Sequence, residues 1–234
     1  MQAQPRIGDK AIGLTGILLV LAAITVAWAI SRFWIYPVLG IPTYAPLILR
    51  PIFGFLTAWW LLAQSGRTWS EFGLARPRSL PSAALVAVVL FAAVWGTLNY
   101  VAPAVARAVG AQSSPSFLAY IRGNFVAFAG WIAIAWIVGA LIEELLFRGF
   151  LLNAVARAVG HGGVGLGAGV VSQAVLFGLL HLYQGSFGFI MACLFALLYG
   201  VAYLVTGRNL WPLVLVHGTW NTVGIVNVYL TPAA

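Results

Sequence analysis

The sequence predicts an all-α fold, a polytopic transmembrane helix bundle, and three observations carry that prediction. Apolar residues make up 62% of the chain and charged residues 7%, with a mean hydropathy of +1.00, whereas a globular domain is roughly a quarter charged. A hydrocarbon core needs about 20 apolar residues of helix, and seven such windows occur, at about 11–31, 45–65, 82–102, 125–150, 164–184, 187–206 and 210–230. These runs are continuous and about twice as long as a barrel strand, which argues against a β-barrel. Seven spans follow, eight at most.

The first window follows Arg6 and Lys10 and reads as a retained anchor. Ala27 and Ala29 offer a small-residue cleavage site, but the apolar run is long for a signal sequence and ends in Arg32. The second contains Arg50 and Pro51, with Pro37, Pro42 and Pro46 nearby, so an irregular or re-entrant entry is expected. Like the first two, the third holds no carboxylate. Between it and the fourth, Ser116, Phe117, Leu118, Tyr120, Ile121 and Arg122 form the pattern of a short interfacial helix with aromatic anchors. The fourth opens with an uncharged run from Phe125 to Ile142 and arrives at Glu143 and Glu144, half of the 4 carboxylates in the chain. In the fifth, Gly165 and Gly169 have the spacing that lets a neighbouring helix approach closely. No Walker or dinucleotide pattern surrounds them, and His161 beside them reads as a solvated loop residue. The sixth carries the single cysteine, Cys193, which excludes an intramolecular disulfide and a thiol-based metal site. With no repeat and no long polar tract, residues 1–234 read as one integral membrane domain.

The net charge of +8 is spread thinly over span ends, so it marks topology rather than a nucleic-acid face. With the N-terminus inside, cytoplasmic segments hold Arg6, Lys10, Arg67, Arg76, Arg78, Arg148, Arg157 and Arg208, leaving Arg32, Arg50, Arg107 and Arg122 outside. This favours an N-terminus in the cytoplasm. Eleven arginines against one lysine, with abundant alanine, suit a GC-rich bacterial genome and hence a bacterial plasma membrane. Oligomeric state is left open.

The polar groups of the second half form helical patterns. Glu144 and Arg148 are i,i+4 neighbours in the favourable acid-before-base order, so an ion pair along one face is expected. Glu143, about 100° around the helix, is left to act as a base. Phe177 lies one turn before His181, so its ring packs beneath the imidazole. His217 and Asn221 repeat the i,i+4 spacing and aim an imidazole and a carboxamide at one point, which suits an oxyanion. A water between Glu143 and His181, with His217 and Asn221 facing a carbonyl oxygen, gives amide hydrolysis. Ionisable groups at membrane depth are costly and mark function by default. Each also has a plain structural reading: interhelical hydrogen bonds for the histidines and Asn221, and a brace for Glu144 with Arg148.

These residues resemble the type II CAAX prenyl endopeptidase family, also called the ABI or CPBP intramembrane proteases. Glu-Glu-xxx-Arg reads Glu143, Glu144 and Arg148, followed by Gly149 and Phe150; Phe-xxx-His reads Phe177 and His181; His-xxx-Asn reads His217 and Asn221. The flanks Tyr199-Gly200 and Thr206 to Pro212 fit as well, and the resemblance covers about residues 125–225, the expected catalytic core. It implies a glutamate-dependent, metal-independent endopeptidase without cofactor, acting on a membrane-associated protein or peptide at the bilayer. By that resemblance Glu143 and His181 activate water, His217 and Asn221 hold the oxyanion, and Glu144 and Arg148 support them. Two alternatives stay open: a zinc-dependent protease, since two histidines and a glutamate are a competent set, and a non-catalytic scaffold or bacteriocin-immunity protein of the same fold. A transporter would call for a paired discontinuous motif in the first half, which holds only prolines and Arg50.

One expectation sets a hard test. If every loop lies at a membrane face, counting at 1.5 Å per residue separates His181 and His217 by about 10 Å in depth. A tilted or shortened sixth helix, a wet cavity, or an irregular start to the seventh at Trp211-Pro212 is then required to bring them together.

Overall fold

The computed structural model describes residues 12–39, 45–114, 118–160 and 162–232. The expectations placed on Arg6, Lys10, Pro42, Ser116, Phe117 and His161 fall outside them. Helix accounts for 85% of the structure, with no strand among the described residues, so backbone polar groups are satisfied within each segment as a bilayer demands. Among the described residues seven helices are long and apolar enough to cross a membrane, which makes the chain an integral membrane protein. They are α1 (Leu14–Ile35), α2 (Leu47–Gln64), α3 (Leu80–Ala108), α4 (Phe125–Val159), α5 (Gly163–Leu180), α6 (Gly185–Val205) and α7 (Trp211–Leu230).

Three expectations shift. From Ala45 the second span is unbroken: Ala45–Gln64 is one helix with Pro51 inside it, and the residues just before it lie outside the described ones. Pro51 falls in the second turn, where it forfeits a single backbone hydrogen bond and the helix continues beyond it. α3 runs on past residue 102 because Pro103 sits in the first turn after a π-helical stretch, Thr97–Val101, which takes up the proline. α4 continues to Val159 because its last two turns are amphipathic, with Arg157, so the hydropathy falls while the helix persists. Arg50 and Arg148, counted above as loop charges, both lie within helices. Of the interfacial segment, a 3-10 turn at Ala119–Ile121 is described.

Without a hydrophobic drive between helices in lipid, close packing depends on small residues. A Cβ on Gly165 would lie 2.7 Å from the Ala156 carbonyl oxygen, and one on Gly169 2.5 Å from that of Leu152, so α5 rests backbone-to-backbone on α4. The buried carboxamide of Gln173 crosses from α5 to donate to the Ala196 carbonyl of α6 at 2.8 Å. Asn153 of α4 donates to the Tyr203 hydroxyl of α6 at 3.1 Å, and Tyr203 donates to the Phe72 carbonyl at 3.2 Å.

These contacts also fix the relative heights of the helices. Antiparallel to α4, α5 places Gly169 at Leu152 and Phe177 at Phe147. α7, also antiparallel to α4, places Leu210 at Gly149, His217 at Glu144 and Asn221 at Gly139. The helices are therefore staggered. α4 overhangs the start of α7 by ten residues, roughly 15 Å, and α4 and α7 overhang the α5–α6 turn at the other end by about a dozen, roughly 18 Å.

Candidate active site

The stagger resolves the depth problem. His181, one turn beyond Phe177, comes level with Glu143, one turn before Phe147, while His217 is held level with Glu144 by a hydrogen bond. The His181 and His217 rings lie 4.5 and 6.2 Å from the Phe177 ring, and both line the same cavity of about 250 Å3. Neither a shortened α6 nor an irregular start to α7 is present: α6 has 21 residues and α7 begins as a regular helix with Pro212 in its first turn. Of the devices expected, a cavity is present, and the stagger of α5 against α4 and α7 brings both histidines to it.

Glu143 and Glu144 occupy a short α-helical step between two π-helical stretches, Ala135–Ile142 and Leu145–Leu151. Such stretches change which way successive side chains point, and they concentrate at functional sites. Glu144 and Arg148 are fully buried and pair at 3.0 Å. The same Glu144 Oε1 accepts from His217 Nδ1 at 2.8 Å, so one carboxylate ties the arginine of α4 to the histidine of α7. The Arg148 guanidinium lies 4.9 Å from the Phe177 ring and 5.0 Å from the Tyr199 ring, two aromatic faces that offset its removal from water. Phe195 packs edge-on to His217 at 4.8 Å.

Each imidazole is oriented through Nδ1. That of His181 meets the Phe177 carbonyl at 2.8 Å; a carbonyl only accepts, so Nδ1 carries the proton and Nε2 offers its lone pair. With His217 Nδ1 donating to Glu144, its Nε2 points on toward Glu143, whose Oε2 is 4.0 Å away. One oxygen atom placed off that line lies within hydrogen-bond reach of both groups. Asn221 completes the cavity wall, and its Nδ2 would lie 2.8 Å from a Cβ on Gly139, so only glycine leaves it that position. A second space of about 130 Å3, lined by Leu98, Phe177, Met191 and Phe195, shares His181, His217 and Asn221 with the first. The polar groups thus stand between two recesses. Among the described residues no three His, Cys, Asp or Glu side chains gather as a metal-ligand set.

All six residues singled out from the sequence converge here. Others were missed. Gly139, one turn before Glu143, is legible only once Asn221 is seen against it. Phe195 and Tyr199 sit at i,i+4 in α6, spacing that any buried helix shows. Tyr183 and Gln184, from the α5–α6 turn, line the cavity, and Arg50 reaches the site from α2, within electrostatic range of Glu143, His181 and Tyr183.

Residues 125–223 match the Rce1-like family model, type II CAAX prenyl endopeptidase. This Rce1-like stretch covers under half of the chain, runs from the start of α4 into α7, and contains every one of the six residues above. The Rce1-like match supports a CAAX-type protease acting on a membrane-associated substrate. Comparison with curated proteins and with solved structures finds no match.

Proposed function

We propose that this protein is an intramembrane endopeptidase that hydrolyses a peptide bond with a water activated by Glu143 and His181. The carrying observation is the convergence of Glu143, His181, His217 and Asn221 on one cavity, each from a different turn of three helices. Glu143 accepts a proton from the water while the His181 Nε2 lone pair accepts its other O–H, aiming the oxygen at the carbonyl carbon. As the oxygen–carbon bond forms, the carbonyl oxygen takes the negative charge and accepts from Asn221 Nδ2 and from His217 Nε2, which presents an N–H when the ring carries both protons. Collapse of this intermediate breaks the C–N bond, and the proton on Glu143 passes to the departing amine. Glu144 acts through His217, and Arg148 through Glu144. The substrate chain lies across the site with side chains in the two recesses on either side.

We read the reaction as metal-independent: the Arg148 guanidinium 3.0 Å from Glu144 opposes a nearby cation, and a carboxamide such as Asn221 suits an oxyanion better than zinc. The fold is one domain with the N-terminus cytoplasmic, in a bacterial plasma membrane. The test compares wild type, Glu143→Ala and His181→Ala on a peptide library in detergent, with and without chelator. Both variants are expected to lose cleavage by 10^2-fold or more, and chelator to change nothing. Cleavage that survives both substitutions removes the mechanism, loss with chelator alone assigns zinc, and a wild type that binds peptide without cutting it assigns a scaffold.

A further inference from the structure

A cavity of about 650 Å3 lies away from the active site, where the α2–α3 and α6–α7 loops meet. Its walls are held together by cross-loop hydrogen bonds. Leu210 N–H donates to the Gly73 carbonyl at 2.9 Å, and Asn209 Nδ2 to the Ala75 carbonyl at 2.9 Å. Gly73 has φ of 108°, and a Cβ there would meet the Arg208 carbonyl oxygen at 2.7 Å, so the two loops close only with glycine at this point.

Three arginines line the cavity, Arg76, Arg78 and Arg208. The only acid among the lining residues, Glu71, is already engaged by Arg67 at 3.3 Å and by the Thr68 backbone N–H at 2.9 Å. The wall therefore carries a surplus of positive charge. Arg208 is the one described non-glycine residue with positive φ, 66°, a conformation that glycine adopts without strain, so the turn places a guanidinium here at a conformational cost. Ser79 and Ser82, at the start of α3, add hydroxyl groups. The lining also includes the apolar Ala83, Val86 and Val205, the last 75% exposed on the outer surface of the bundle.

We propose that this cavity binds the headgroup of an anionic phospholipid, its phosphate against Arg76, Arg78 and Arg208 and its acyl chains along Val86 and Val205. Basic loops set topology whether or not they bind anything. What distinguishes this one is a recess whose lining combines three cations with apolar residues, one of them exposed on the outside of the bundle, the two kinds of group a phospholipid presents. The site is independent of the protease reading.

The test is native mass spectrometry of the full chain released from detergent with phosphatidylglycerol or phosphatidylcholine of identical acyl chains. Wild type is expected to retain phosphatidylglycerol preferentially, and Arg78→Gln to lose roughly fivefold of that preference. The triple variant Arg76→Gln/Arg78→Gln/Arg208→Gln is expected to abolish it, whereas Arg107→Gln, at the opposite end of α3, leaves it intact. Ala83→Trp, which fills the cavity without changing charge, is expected to act like the triple variant and decides the matter if the latter does not fold. Equal retention of the two lipids, or a preference untouched by Arg78→Gln and Ala83→Trp, overturns the proposal. An inorganic phosphate arm separates sources: displacement of lipid by millimolar phosphate assigns a soluble anion instead.

Discussion

The two halves of this chain solve different problems with similar-looking helices. In α3 only 11% of the most apolar window is buried, against 44% in α6, and no carboxylate lies within α1, α2 or α3. α3 is therefore mainly a lipid-facing wall, whereas α1 and α2, 28% and 33% buried, are as enclosed as α4 and α7 at 22% and 33% and differ from them in holding no carboxylate. α4 to α7 instead hold a fully buried ion pair, two oriented imidazoles and interhelical carboxamides. Hydropathy alone does not tell these halves apart, since α3 and α4 score 2.0 and 2.3. A handful of polar residues separates a wall from a working site.

Substitutions widen or narrow that contrast. The largest effect is expected at Glu143→Gln, which removes the base while keeping shape: peptide cleavage falls by about 10^3-fold with the melting temperature unchanged. Glu144→Ala leaves both Arg148 and His217 buried without their carboxylate, and is expected to cost about 3–5 kcal/mol, read by thermal unfolding in detergent. Gly139→Ala is expected to displace Asn221 and reduce cleavage by about 10^2-fold with less loss of stability, a split that a purely structural Asn221 does not give. Arg50→Gln is expected to lower activity by about tenfold, because Arg50, from the first half, reaches Glu143 electrostatically. Val88→Ala, on a lipid-facing position 67% exposed, is expected to shift stability by under about 0.5 kcal/mol and activity not at all. A larger effect at Val88 than at Gly139 would reverse the assignment of the halves.

The spans were legible because length and apolarity are what a bilayer selects for, and the α4–α5 contact because glycines four residues apart leave a visible groove at Gly165 and Gly169. The Glu144–Arg148 pair and the stacking of Phe177 on His181 followed from helical spacing within one element. What lay hidden is what depends on relative height. Nothing local announces that α7 begins level with Gly149, so the bond from His217 to Glu144, across 73 residues, was out of reach. Hydropathy likewise ended α4 early, because an amphipathic turn such as Leu152–Val159 scores poorly while remaining helical. Pro51 misled in the opposite direction: a proline near a helix start is cheap, and the chain spends that tolerance in α2.

The stagger has one more consequence. Beyond Glu144 the centre of the bundle is filled: Phe147, Phe150, Leu151 and Leu152 of α4 and Tyr199 and Tyr203 of α6 are almost wholly enclosed. The active-site recess therefore ends on a plug, so the hydrolysis proposed above would consume a solvent molecule without opening a conduit for ions from one compartment to the other.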